Sequence, residues 1–259
     1  MSVVSAEQAI REVQTAMAQA GFYTGKIDGL WGGLSRSALA AMRAAATSVS
    51  ADGPDLIGIA PAVVDPRLCW GAKVSRTFRD RVHWIAKDLQ LPADDLMACM
   101  AWESGRSFRA DIRNAAGSGA TGLIQFMPLT ALPYFFSAEA IEKMSPAQRL
   151  ANGRVATDRL AVMTPEDQLN YVYRYFRPFK GRLNNLGDVY MAILWPAGVG
   201  QPDSYVLWER GSRPTTYRQN AGLDVNKDGA ITRAECLVKI RAMQAEGFRP
   251  GNVWPGPAV

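Results

Sequence analysis

Glu103 closes an apolar run, Leu96-Met97-Ala98-Cys99-Met100-Ala101-Trp102, and is followed by Ser104 and Gly105. A carboxyl set among such side chains loses hydration, which disfavours its charged form and raises its pKa. A general acid working near neutral pH needs that property. Downstream, Gly122-Leu123-Ile124-Gln125-Phe126-Met127-Pro128 carries a single amide, Gln125, behind the glycine-rich stretch Gly117-Ser118-Gly119. A separate constellation, Asp224-Val225-Asn226-Lys227-Asp228-Gly229-Ala230-Ile231-Thr232-Arg233-Ala234-Glu235, has a different chemistry. Oxygen-bearing side chains stand at loop positions 1, 3 and 5, glycine at 6, an apolar residue at 8 and glutamate at 12, the pattern of an EF-hand calcium loop. Asp224, Asn226, Asp228, Ala230 (through its carbonyl) and Glu235 are the expected ligands of a structural Ca2+. The competing reading is an Asx-rich turn that caps the last helix without metal.

Other chemistries lack their residues. His83 is the single histidine, the three cysteines (Cys69, Cys99, Cys236) form no CxxC pair, and there is no HExxH, so catalytic zinc is not expected. No Gly-x-Ser-x-Gly elbow is present, which argues against a serine amidase or esterase. No organic cofactor is expected. An odd cysteine count at wide spacing also argues against a disulfide framework. Among further carboxylates, Asp94 and Asp95 suit a helix start and Glu166 a first turn. Asp111, between Glu103 and the glycine loop, stays open as a second carboxylate.

These residues need elements to hold them. From Phe78 onward the pattern is helical: Val82, Ile85, Ala86 and Leu89 share one face, and a second helix begins after Pro92 and Asp94. Glu166 to Phe176 forms a tyrosine-rich helix, Asp188 to Leu194 a short one, and Ile231, Ala234, Leu237, Ile240 and Met243 the stripe of the last. The segment before the calcium loop, Tyr217 to Leu223, is too short for a full entering helix. Near the start, Ser5 caps a helix bearing Ala9, Ile10, Val13, Met17 and Ala20 and ending at Gly21; a second helix runs from about Ser35 to Ala46, with Leu39 and Met42 inward. A Ser, Gly, Asp and Pro-rich zone from Ser48 to Pro66 separates the parts. No βαβ alternation occurs. The expected fold is therefore mainly α: a small three-helix module with its linker over 1–65 and a larger helical domain over 66–259.

The chain has 259 residues, a formal net charge of +5 and seven tryptophans. The modest basic excess suits acidic polymers, bacterial wall polymers among them, but no dense Lys/Arg run favours nucleic acid. No segment reads as a signal peptide or a membrane span, so no membrane insertion is expected.

Residues 5–46 resemble the peptidoglycan-binding module of cell-wall hydrolases. The likeness rests on Val13-Gln14, Gly21-Phe22-Tyr23, Gly25-Lys26-Ile27-Asp28-Gly29, Trp31-Gly32 and the helix with Ser37, Ala38 and Leu39. It implies wall contact through Tyr23, Asp28 and Trp31, which otherwise read as turn and core residues. The second domain, through Glu103-Ser104-Gly105, Ala116-Gly117-Ser118-Gly119-Ala120-Thr121-Gly122-Leu123-Ile124-Gln125-Phe126-Met127-Pro128 and Trp195-Pro196-Ala197-Gly198, resembles the lysozyme-like (α+β) lytic transglycosylases. The family pattern ends in Tyr-Asn-Ala-Gly; here the aromatic is kept and the asparagine lost.

The resemblance implies a phage endolysin acting as a monomer on bacterial peptidoglycan. Glu103 would cleave the MurNAc-β-1,4-GlcNAc bond and form 1,6-anhydroMurNAc. Ser104, Gln125, Tyr171, Tyr190 and Trp195 would contact the substrate or orient Glu103. Their plain alternatives are helix-start polarity for Ser104, a backbone-paired amide for Gln125 and core packing for the tyrosines, Tyr173 included. Synthesis in the host cytoplasm and release to the wall through a membrane lesion is the expected route. The competing functions are a hydrolytic muramidase and a catalytically silent wall-binding virion protein.

Overall fold

The structure, a computed structural model, describes residues 10, 11, 14, 23–38, 65–115 and 117–257. Ser5, Ala9, Val13, Met17, Ala20, Gly21, Phe22, Leu39, Met42, the zone 48–64 and Ala116 lie outside the described residues. The chain is mainly helical, as its pattern predicts. In chain order the principal elements are α1 (Arg76–Leu89), α2 (Ala93–Glu103), α3 (Pro146–Ala161), α4 (Pro165–Phe176), α5 (Leu186–Leu194), β1 (Val206–Glu209), α6 (Pro214–Asn220), β2 (Ala230–Thr232) and α7 (Arg233–Gly247). Among the described residues no helix is long and apolar enough to cross a membrane.

Two compact units divide the chain: Met1–Asp55 with Arg109–Tyr171, and Leu56–Phe108 with Val172–Val259. Residues 66–259 thus contribute to both.

The second unit is organised around α2. Pro92 precedes it, Asp94 and Asp95 occupy its first turn, and Leu96 to Ala101 are all buried. A helix apolar on every side belongs at the centre of a bundle, and α1, α5 and α7 pack on it. The start of α1 is capped by Ser75, whose hydroxyl accepts from the Phe78 amide. At α7, Thr232 and Glu235 form a reciprocal capping box. The apolar stripe assigns Ile231 to the last helix; in the structure this residue instead pairs with Trp208 in the antiparallel β1–β2 sheet, and the helix starts at Arg233. The first and last described stretches of this unit close it: Leu68 bridges Trp254, the Trp70 indole donates to the Met243 carbonyl at 3.0 Å, and Arg79 meets Asp65 at 2.6 Å in a buried ion pair. All three cysteines are buried and unpaired.

In the first unit, α3 starts with a Ser145–Gln148 capping box and lies against the short helix Pro128–Ala131. Gly153 permits that approach, since a Cβ there would stand 2.6 Å from the Pro128 carbonyl oxygen.

Candidate active site

Glu103 is the last residue of α2 and is only partly exposed. The residues after it build a helix stop. The Arg106 amide donates to the Ala101 carbonyl and the Gly105 amide to Trp102, the two bonds of a Schellman motif. Gly105 supplies the left-handed turn at φ 59°, and a Cβ on it would touch nothing. Ser104 is fully buried; its hydroxyl donates to the Met100 carbonyl at 2.6 Å and accepts from the Phe108 amide at 3.0 Å. The serine therefore clamps the helix end, not a helix start, and holds Glu103 from behind.

No hydrogen bond to the Glu103 carboxyl is found among the described residues. Burial raises its pKa from the ordinary carboxylate value to about 7. The negative end of the α2 dipole acts in the same direction. Two tyrosines of this unit feel its charge. Burial, then the field of Glu103, pushes Tyr175 up to about 12. The same order of causes raises Tyr190 further, while the Trp102 side chain hydrogen-bonds its hydroxyl. Tyr175 donates to the Ala192 carbonyl at 2.8 Å. Both therefore stay neutral phenols next to an acid that is half-protonated near neutrality. The sequence points to Tyr190 but not to Tyr175, whose place in a tyrosine-rich helix looks like that of its neighbours.

Trp195 follows α5, its amide donating to Met191. Its ring meets Trp208 edge-on at 5.6 Å, and the Arg213 guanidinium lies 5.4 Å from its centre. Both indole nitrogens are buried without a partner among the described residues. Of the other carboxylates in this unit, Asp94 accepts from the Cys69 amide and Asp95 from the Gln244 side chain, so both serve the fold. Tyr173 donates to Asp88.

The glycine loop belongs to the first unit. Gln125, at φ 51°, donates to the carbonyls of Gly122 at 3.2 Å and Ile112 at 3.4 Å, so its amide is tied to its own loop. The larger organiser is Gln168, which is fully buried. It accepts from the Leu123 amide at 2.7 Å and donates to the Ala110 and Leu160 carbonyls. Gly122 is glycine for two reasons: its φ is 83°, and a Cβ would collide with the Gln168 amide. Nothing in the sequence marks this glutamine, since its role depends on three distant backbone groups. Tyr171 is 3% exposed and stacks on Phe135 at 5.3 Å, a core position. Asp111 is exposed and paired with Arg109 at 2.7 Å, whose hydrogen bond holds the carboxyl below its ordinary range.

In the N-terminal segment Gln14 is the hub. Fully buried, it donates to Asp28 and the Tyr23 hydroxyl and accepts from the amides of Asp28 and Gly29. Tyr23 and Asp28 thus build the turn, whereas Trp31, 38% exposed, shares the surface with Leu30 and Leu34.

The 224–235 loop lies in the second unit, entered by α6 and a 3-10 turn (Ala221–Leu223) and left by α7. Asn226 and Asp228 bond to each other, and Glu235 accepts from the amides of Val225 and Thr232. Among the described residues no group of three carboxylate, thiol or imidazole side chains is already gathered as a metal site.

No protein-family model matches this chain, and no curated protein matches it.

Proposed function

We propose that this chain is a peptidoglycan-degrading endolysin with a lysozyme-like catalytic domain and Glu103 as its acid and base. The observation carrying this reading is a carboxyl at a helix end, without a hydrogen-bond partner among the described residues, whose burial lifts its pKa to about 7. In the protonated form Glu103 donates to the oxygen joining MurNAc C1 to GlcNAc, and the C1–O bond breaks. The carboxylate then takes the proton of the muramic 6-hydroxyl as that oxygen bonds to C1, closing the 1,6-anhydro ring. Proton and electrons balance, no water is consumed, and Glu103 returns to its starting form. The nucleophile belongs to the same sugar, so its effective concentration is high and a second carboxylate is not required. The ion pair of Asp111 with Arg109, together with the structural bonding of Asp94 and Asp95, supports a single-carboxylate reaction. Trp31 and its exposed apolar neighbours suit a wall-binding face in the N-terminal segment.

Mass spectrometry of digested sacculi tests the reading. Products ending in 1,6-anhydroMurNAc, inert to borohydride, are expected. Reducible ends would instead make the protein a muramidase, and no released glycan would leave a wall-binding protein without catalysis.

A further inference from the structure

We propose that the loop from Asp224 to Glu235 binds one Ca2+ and that the bound ion stiffens β1 and α5, the elements beside Trp195. The sequence pattern alone would be an acidic turn. The added observation is Asp224, only 8% exposed. Its Oδ2 is satisfied twice, by the Tyr217 hydroxyl at 2.6 Å and the Gly229 amide at 3.0 Å. Its Oδ1 is buried with no partner among the described residues. The Lys227 and Asp228 amides lean towards this carboxyl without completing a hydrogen bond to Oδ1, and a carboxylate oxygen removed from water with no well-formed bond calls for a cation. The other donors that the loop pattern supplies are all oxygens (Asn226, Asp228, the Ala230 carbonyl and Glu235), which selects a hard ion over zinc or copper. Glu235 already reaches back over the loop, its Oε1 accepting from the amides of Val225 at 3.0 Å and Asn226 at 3.4 Å. Exchanging those amides for the ion is the change that binding requires.

The loop's exit is joined to the rest of its unit by two routes. Its strand β2 pairs with β1, whose Trp208 packs edge-on against Trp195. Arg233, the residue after β2, forms a 3.0 Å ion pair with Asp188 of α5, both under a tenth exposed, and a 2.8 Å pair with Asp203. Fixing Ile231 and Arg233 therefore restrains β1 and the start of α5, the helix that carries Tyr190. The inference does not rest on glycan cleavage, and its readouts need no substrate.

The test uses the full chain. Calorimetric titration with CaCl2 should show one site, and about 10 mM Ca2+ should raise Tm by roughly 3–10 °C over chelator, given the millimolar-to-submillimolar affinity of extracellular loops. NaCl at matched ionic strength should not. Asp224→Asn keeps the acceptor for Tyr217 and Gly229 while turning an amide towards the ion; Glu235→Gln keeps the helix cap. Both variants should match the wild type in chelator and lose at least about 10-fold in affinity, consistent with ligand charge count tuning such sites. A calcium-dependent shift absent from the wild type, reproduced by NaCl, or retained in both variants would overturn the site. Hydrogen exchange reads the second half: slower exchange at 186–194 and 206–209 with Ca2+ is expected, and protection confined to 224–235 would overturn the coupling.

Discussion

Glu103 gains its raised pKa from what is missing around it. A surface glutamate is hydrated and ionised well below neutrality, whereas this one ends a buried helix and has no donor among the described residues to stabilise its charge. Two outcomes are expected at this one residue. Glu103→Gln removes the proposed proton donor and keeps the shape, so the proposed wall-clearing activity should fall by about 10²–10⁴-fold with the circular dichroism spectrum unchanged. For the wild type, activity should decline as pH rises through about 7, the value at which Glu103 loses its proton. A rate that stays level to pH 9, measured on purified sacculi, would remove Glu103 from the acid role. The apolar run before Glu103 makes this residue legible in the sequence. Ser104 is not legible in that way: a serine beside a helix boundary reads as a start signal, and only the bonds to Met100 and Phe108 show that it closes the helix.

Two short devices hold the elements that carry the site residues, and each makes a stability prediction. Gly105 is glycine for its backbone alone, since φ is 59° and, its chain neighbours apart, no atom of the described residues lies within 4 Å of where a Cβ would stand. Gly105→Ala should therefore cost about 1–2 kcal/mol by the left-handed penalty, a Tm drop of roughly 2–8 °C, and Gly105→Asn should cost less. Gln168→Leu is a harsher change. It leaves the Leu123 amide and the Ala110 carbonyl buried without their partner, at about 1–3 kcal/mol each, while the Leu160 carbonyl keeps the Met163 amide. Urea melts should show a loss of at least ~2 kcal/mol, and a loss below about 1 kcal/mol would mean that water replaces the amide. The sequence makes the helices plain because their apolar faces recur at helical spacing, as in Val82, Ile85 and Leu89. It conceals β1: four residues are too few for alternation to register, and the strand exists because β2 pairs with it. Ile231 misleads for the same reason, its apolar position fitting the helix stripe as well as the strand.

Across the whole molecule, buried acids and exposed ion pairs pull stability in opposite directions with pH. Burial raises Glu103 to about 7 and Asp95 to about 6, so the folded state holds protons that the unfolded chain releases near pH 4. Groups with raised carboxyl pKa values stabilise the fold below the unfolded value and lose that contribution as pH climbs through the folded one. Each shift is worth up to about 3 kcal/mol, lost between roughly pH 4 and 7. His83 opposes them, since burial lowers its pKa and its neutral form costs stability as pH falls below the ordinary imidazole range. Two raised carboxyls act against one lowered imidazole over this interval. On the acid side Asp111, Asp203 and Glu246 are held low by arginine partners and give up their contribution as pH falls through the ordinary carboxylate range and below it. These pairs are exposed, so their share is small. Calorimetry from pH 4.5 to 8 should place the highest Tm near pH 5, roughly 4–10 °C above that at pH 8. The double variant Glu103→Gln, Asp95→Asn should flatten the profile by raising its alkaline side. A Tm that instead rises steadily from pH 5 to 8 would show that neither acid is held protonated by the fold, and the account of Glu103 as a neutral-pH proton donor would fail with it.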